Sequence, residues 1–242
     1  MNEIIWIIFL IFIGQIPGSL IGIIKKPSEL QLRFSLAFAG SMMISISVFE
    51  LMPEAVKITS YYLALFGFLA GLLIMMLIDK TLPHINPELN KGESPNMKRC
   101  ASFLVIGTAL HNLPEGFAIG LGFLSNPSLG ILVALGITIH NIPENIAAII
   151  PVFCITRKRL KSALILITTV LFELFGFILG YFVFKDTSLH LLGVSLALTS
   201  GFMMYISVEE LIPSAQIRKN PYIISSSILL GVLVVLTMIL LF

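Results

Sequence analysis

Apolar runs of 18 or more residues recur from one end of the chain to the other, and that recurrence leaves few ways to fold. Each run is long enough to cross a hydrocarbon layer of roughly 30 Å as a helix. Eight are legible, at about 4–24, 34–56, 61–78, 101–124, 129–155, 162–184, 189–212 and 222–242. In a bilayer every backbone N–H and C=O must be satisfied within the protein, so spanning segments are helices or closed barrel strands. Continuous apolar runs, as opposed to alternating ones, select helices. Charged residues are only 12% of the chain, where a soluble domain carries about twice that share. The expectation is an all-α integral membrane protein, with residues 1–242 forming a single transmembrane domain in a lipid bilayer.

The first run is read as a span and not as a signal peptide. Glu3 precedes it and Lys25 and Lys26 follow it, the reverse of the charge order a signal peptide needs. With eight spans both termini lie on one side, and the distribution of basic residues assigns that side. Of the 15 Lys and Arg, all but Lys57 and Lys185 fall in the connections 1–2, 3–4, 5–6 and 7–8. Those connections are therefore cytoplasmic, and both termini are extracytoplasmic. The net charge of +2 reflects this asymmetry, and no nucleic-acid partner is expected. Cys100 and Cys154 sit singly beside Arg99 and Arg157, which suits wall residues on the reducing side better than a disulfide.

Inside the spans the chain repeats itself. His111-Asn112-Leu113-Pro114-Glu115 matches His140-Asn141-Ile142-Pro143-Glu144 in the next span. Ser47-Val48-Phe49-Glu50-Leu51-Met52-Pro53 in the second span is echoed by Ser207-Val208-Glu209-Glu210-Leu211-Ile212-Pro213 in the seventh. Adjacent spans run in opposite directions, and so do spans two and seven, so both repeats are inverted. Inverted repeats are the arrangement from which many secondary transporters build a midplane site. Pro114 and Pro143 bring no N–H for the carbonyls of Leu110 and Ile139, which predicts broken helices at membrane depth.

Counting 1.5 Å per residue places His111, His140 and Glu173 each roughly 15 Å into their spans. Residues i, i+1 and i+4 share a helical face, so His111, Asn112 and Glu115 converge, as do His140, Asn141 and Glu144. Gly107, Thr108, Ala118 and Gly122 flank the first set and Thr169, Gly176 and Gly180 flank Glu173, which turns these faces into the bundle. Three carboxylates and two imidazoles gathered where water is scarce repel one another unless a cation joins them. Mixed imidazole and carboxylate ligands suit Zn²⁺ first, then Fe²⁺ or Mn²⁺, whereas an all-oxygen set would suit Mg²⁺ or Ca²⁺. The bland alternative is that the His/Glu pairs are satisfied polar contacts between helices.

The pattern H-N-x-P-E-G on span 4, H-N-x-P-E on span 5 and S-x-x-E-L-x-P on spans 2 and 7 resembles the ZIP (Zrt/Irt-like) family of metal-ion transporters, in its compact bacterial branch. The likeness covers essentially the whole chain. It implies eight helices in a 3+2+3 inverted-repeat bundle, an often binuclear site between spans 4, 5 and 6, a homodimer, and elevator-like uptake of zinc, iron, manganese, cobalt or cadmium across the plasma membrane, here a prokaryotic inner membrane. It further implies that His111, Glu115, His140 and Glu144 are the primary ligands. Asn112, Asn141 and Glu173 match a second site bridged by Glu115 and Glu144, and Met43 matches a methionine of span 2 that reaches the primary site. Two departures stand out. Asn145 replaces a common glycine, which implies altered local packing or an added oxygen ligand, and Glu173-Leu174-Phe175-Gly176 lacks the proline common after that glutamate, which removes the reason to expect a break in span 6 but leaves the carboxylate.

Depth counting puts Glu50 toward the outer mouth and Glu210, with Glu209, at the cytoplasmic mouth, as entrance and exit or gate carboxylates. His84 in the 3–4 loop is a candidate cytoplasmic receiving ligand or a plain solvated residue, and His190 in the outer 6–7 connection reads as incidental. The intramembrane zinc-protease pattern His-Glu-x-x-His is missing, the spacing here being His-x-x-x-Glu, so an enzyme is not expected. A metal sensor and an exporter with a similar site remain competing readings. No phosphate-binding Gly-x-x-x-x-Gly-Lys-Ser/Thr occurs, so neither ATP nor an organic cofactor is expected to drive the cycle.

Overall fold

The computed structural model describes residues 2–24, 27–81, 97–215 and 221–241. Among them there is no strand, and eight helical rods account for nearly every residue. They are α1 (Asn2–Ile24), α2 (Glu29–Ile58), α3 (Tyr61–Thr81), α4 (Met97–Ser125), α5 (Pro127–Thr156), α6 (Arg159–Val183), α7 (Leu189–Ala215) and α8 (Pro221–Leu241). Seven of these are long and apolar enough to cross a membrane by the described residues alone. The remaining rod, α4, is 29 residues long. Their outward faces are apolar: Phe66, Leu69 and Leu73 on α3 and Leu229, Leu233 and Leu240 on α8 are exposed. Such surface belongs in hydrocarbon and not in water.

Local chemistry marks the rod ends. Ser28 caps α2 in a reciprocal pair with Gln31, Asn126 accepts from the Ser128 N–H ahead of α5, and Ser188 caps α7. Only Asn126 separates α4 from α5, so the two central rods form a tight antiparallel hairpin.

Pro114 and Pro143 do not break their helices, contrary to expectation. Residues 97–125 and 127–156 run as uninterrupted α-helix, and Pro17 is carried within α1 in the same way. A proline removes one donor, but the neighbouring rungs remain, and in a membrane bundle helix formation is still the cheapest way to satisfy the rest. The irregularities lie elsewhere. Ser47–Leu51 in α2 and Ser207–Leu211 in α7 are π-helical turns, in which the Met52 N–H reaches the Ser47 carbonyl and the Ile212 N–H reaches the Ser207 carbonyl. Pro53 and Pro213 follow directly, so each ladder widens by one residue just ahead of the missing donor. The repeated sequence thus makes the same local structure twice. Ser200 Oγ on α7 donates to the Ser47 carbonyl in the α2 turn.

α6 is interrupted at Thr169, four residues before Glu173, although the proline after that glutamate is absent. There the Thr169 N–H bonds the Leu166 carbonyl and the Phe172 N–H bonds the Thr169 carbonyl, a tightening to three-residue spacing. A π-helical turn at Leu179–Val183 ends the rod.

Packing is organised around the hairpin. α1 and α2 pack on α5; α6 and α7 pack on α4; α3 lies on α7 and α8 on α2. Glycines allow the closest approaches. A Cβ at Gly116 would collide with the Glu173 carbonyl, one at Gly176 with the Leu113 carbonyl, and one at Gly18 with the Ile142 carbonyl. Gly14, Gly18 and Gly22 recur every fourth residue and form the face of α1 that α5 presses against.

Candidate metal site

The hairpin brings the two His-Asn-x-Pro-Glu motifs together. The ligand atoms of Glu115, His140 and Glu144 lie within 4.8 Å of one another, and all three residues are buried. His140 Nε2 is 3.2 Å from Glu115 Oε1, with both side chains fully buried. On its other edge, His140 Nδ1 is 3.0 Å from the carbonyl of Gly136. A carbonyl only accepts, so Nδ1 carries the hydrogen and Nε2 keeps its lone pair in the neutral ring. That lone pair then faces a carboxylate oxygen, and only a proton or a cation between them relieves the contact. Donating the second ring N–H to a backbone carbonyl is also how metal-bound histidines are commonly held.

His111 lies at the same junction from α4 and is buried. Its Nε2 is 3.1 Å from Glu210 Oε2 on α7, without hydrogen-bond geometry. The Glu210 side chain is 55% exposed, whereas that of His111 is 7% exposed. Depth counting along the two helices does not by itself predict this contact, in which the exposed Glu210 side chain reaches the buried ring of His111.

Glu173 comes in from α6, fully buried. Its Oε2 accepts from Asn141 Nδ2 at 3.1 Å and from Gln15 Nε2 at 2.9 Å. Asn112 spends its amide nitrogen on the break in α6, 3.3 Å from both the carbonyl and the hydroxyl oxygen of Thr169. Buried polar atoms that have no hydrogen-bond partner include His111 Nε2, Glu115 Oε2, Glu144 Oε2 and Glu173 Oε1. Four such atoms, all of metal-ligating type, on α4, α5 and α6 would be expensive to leave uncompensated. The arrangement has the chemistry to bind a dication by imidazole nitrogen and carboxylate oxygen.

Met43 is fully buried in the apolar core with Met42 and Ile46. Glu50 is not part of the central cluster. It lines a cavity of about 240 Å³ with Phe49, Pro53, Glu54, Asn126 and Leu132, at the end of the bundle where α4 turns into α5. Glu54 there accepts from Ser125 Oγ at 2.6 Å and pairs with Lys57 at 3.2 Å. His190, in the first turn of α7, has its Nδ1 3.3 Å from Thr59 Oγ1 and is not part of the cluster. Glu209 lies within the π-helical turn beside Glu210 and is exposed. His84 lies outside the described residues, as do the side chains of Cys100 and Cys154.

Gln15 was not anticipated from the sequence, and Asn145, marked there for altered packing or an added oxygen ligand, instead pairs with it. Asn145 Nδ2 donates to Gln15 Oε1 at 2.7 Å and to the Asn141 carbonyl at 2.9 Å. The signal was present in the sequence: one amide in an otherwise apolar span, set between Gly14 and Gly18.

Comparison with known proteins places the chain among metal-ion transporters. The family model described as "ZIP Zinc transporter" matches residues 90–240. The chain is 32% identical to the zinc transporter ZupT of Chlorobium chlorochromatii, over 93% of this chain and 92% of that protein. It is 35% identical to the zinc transporters ZupT of an Enterobacter species and of Escherichia coli O7:K1, in each case over 82% of this chain and 81% of the relative.

Proposed function

The chain belongs to the ZIP family, so it is a multi-pass membrane transporter of metal ions and not an enzyme, and from that premise we propose that it takes up divalent transition metals, zinc foremost, through the cluster of His111, Glu115, His140 and Glu144. The carrying observation is the lone pair of His140 Nε2 turned toward Glu115, with Glu144 within 4.8 Å. Fe²⁺, Mn²⁺, Co²⁺ and Cd²⁺ are further substrates that such ligands accept, since ligand type alone separates borderline dications poorly.

A second ion sits beside the first, between Asn112, Asn141 and Glu173, with Glu115 and Glu144 bridging. In support, both asparagines use their amide nitrogens on α6 or Glu173, which leaves oxygen, the atom a metal takes. Met43 approaches the primary ion from α2.

Residues 1–242 form one transmembrane domain, with a cytoplasmic loop at about 79–100. Its helices are two inverted three-helix units, α1–α3 and α6–α8, flanking α4 and α5. The paired packings support this: α1 on α5 answers α6 on α4, α2 on α5 answers α7 on α4, and α3 on α7 answers α8 on α2. The matched π-helical turns of α2 and α7 support it too. Both termini are extracytoplasmic, and two copies associate as a homodimer in the plasma membrane.

Transport follows alternating access without ATP, and this conformation faces inward. Glu210, exposed at 55%, borders His111 on the side toward the cytoplasm. On the outer side the Glu50 cavity is lined by α5 only as far as Leu132, and Ile46, Val133 and Ile137 are fully buried between that level and His140. Glu50 receives the ion from outside and Glu210 releases it within, with His84 as a candidate acceptor in the loop.

The test is flux of Zn²⁺, Fe²⁺, Mn²⁺, Co²⁺ and Cd²⁺ into proteoliposomes, with Glu144→Ala as control. Saturable zinc flux that this substitution abolishes is expected. Wild-type rates in Glu144→Ala would overturn the site.

A further inference from the structure

A closed ring of amides surrounds Glu173, and its polarity is determined at every bond. The Asn141 carbonyl can only accept, so the Asn145 atom 2.9 Å from it is the amide nitrogen. The same nitrogen is 2.7 Å from Gln15, which must therefore present its oxygen there. Gln15 is thereby obliged to turn its NH₂ toward Glu173 Oε2, at 2.9 Å. Asn141 closes the ring by donating to that same oxygen at 3.1 Å. Ser19 Oγ braces the α1 side, 3.0 Å from the Gln15 carbonyl and 3.5 Å from Asn145 Oδ1. Every member is buried.

Two donors on Oε2 leave Oε1 as the oxygen of Glu173 with no hydrogen-bond partner. From this geometry we infer that Gln15, oriented by Asn145, is a positioning residue that holds Glu173 as a one-oxygen metal ligand. Without the ring the carboxylate could rotate about its terminal bond and offer both oxygens to one ion. The glutamine touches no ion itself. It acts by fixing which carboxylate oxygen is available and by stabilising the anion with neutral donors while the site waits for metal. A one-oxygen carboxylate favours the low coordination number of Zn²⁺, whereas two oxygens favour ions that accept more ligands, such as Mn²⁺. Gln15 and Asn145 are thus determinants of metal preference, on helices α1 and α5.

The inference rests on the reading of Glu173 as a ligand, and its test separates the two. Full-length Gln15→Leu, Asn145→Ala, Glu173→Gln and the Gln15→Leu/Glu173→Gln double variant are purified and assayed in proteoliposomes with Zn²⁺ and with Mn²⁺. Losing a hydrogen bond to a charged group predicts that Gln15→Leu raises the half-saturating Zn²⁺ concentration about tenfold, with maximal flux changed far less. The Zn²⁺ to Mn²⁺ preference should fall with it. Asn145→Ala, which leaves Gln15 in place but releases its amide, should move both quantities the same way, and it keeps the idea testable if Gln15→Leu does not fold. In the Glu173→Gln background Gln15→Leu should add nothing, because its effect passes through that carboxylate; a mere loosening of α1 against α5 would act in both backgrounds. In infrared difference spectra, zinc binding should give the Glu173 carboxylate a one-oxygen splitting in wild type and a smaller, two-oxygen splitting in Gln15→Leu. Additive effects, or unchanged zinc affinity in both single variants, would overturn the inference alone. Unchanged zinc binding and flux in Glu173→Gln would overturn the ligand reading beneath it.

Discussion

Between His140 Nε2 and Glu115 Oε1, 3.2 Å apart and fully buried, two acceptors wait for one positive charge. That contact makes both residues sensitive to conservative change. Glu115→Gln keeps the volume and offers an NH₂ to the ring, so it should keep the fold and lose more than about tenfold in zinc affinity, the scale on which even the supporting partners of ligands act; zinc calorimetry on the purified variant measures this. Protons compete with the metal for the same lone pairs, and binding releases them. Lowering pH from about 7.5 to about 5.5, through the ordinary range of histidine, should therefore raise the half-saturating zinc concentration in a flux assay. A flat profile over that interval would argue against histidine ligands. The motif residues could be identified in the sequence because ionisable groups in apolar runs are expensive and rarely incidental. Gln15 escaped notice because a lone neutral amide is far less costly, and its meaning depends on Asn145, 130 positions away.

The helices show where periodicity is a good guide and where it is not. Rod number and rod limits followed from the apolar runs to within a few residues. The breaks did not, since Pro114 and Pro143 lie in continuous helix while the interruption of α6 falls at Thr169, which Asn112 binds from α4. Proline removes one donor locally, but whether a rod breaks depends on what its neighbours offer the backbone. Glycine contacts make a sharper prediction at this level. A Cβ at Gly116 would collide with the Glu173 carbonyl, while among the described residues one at Gly107 would meet nothing within 4 Å. Gly116→Ala should destabilise the purified protein by about 1–3 kcal/mol through overpacking, and Gly107→Ala should leave it within about 0.5 kcal/mol. Thermal unfolding in detergent distinguishes the two.

For the molecule as a whole, the proposed orientation rests on the placement of basic residues, and it sets Lys57 and Lys185 on the outer face and Lys158 on the cytoplasmic one. In a background with Cys100→Ser and Cys154→Ser, cysteines introduced by Lys57→Cys and Lys185→Cys should react with an impermeant maleimide added outside intact cells, and one introduced by Lys158→Cys only after lysis. The opposite pattern would invert the topology and with it the assignment of Glu50 to the entrance. Membership of the ZIP family makes the chain a metal-ion transporter, and the paired packings of α1 and α2 on α5 and of α6 and α7 on α4 are the observation on which the proposed inverted repeat rests.

The amino-acid sequence was sufficient for the class of molecule, for helices long and apolar enough to span a membrane, and for the family, and it singled out the ionisable residues proposed as the site. Each of these is written in short-range pattern: apolar length, charge beside a span, motif spacing. Tertiary structure alone decided that Glu210 meets His111, that Glu50 belongs to a separate cavity, and that Gln15 and Asn145 hold Glu173. Those outcomes depend on how far one rod slides along another and on where glycine lets two backbones touch. Distances of that kind are fixed by packing between residues far apart in the chain, and no periodicity within a single segment records them.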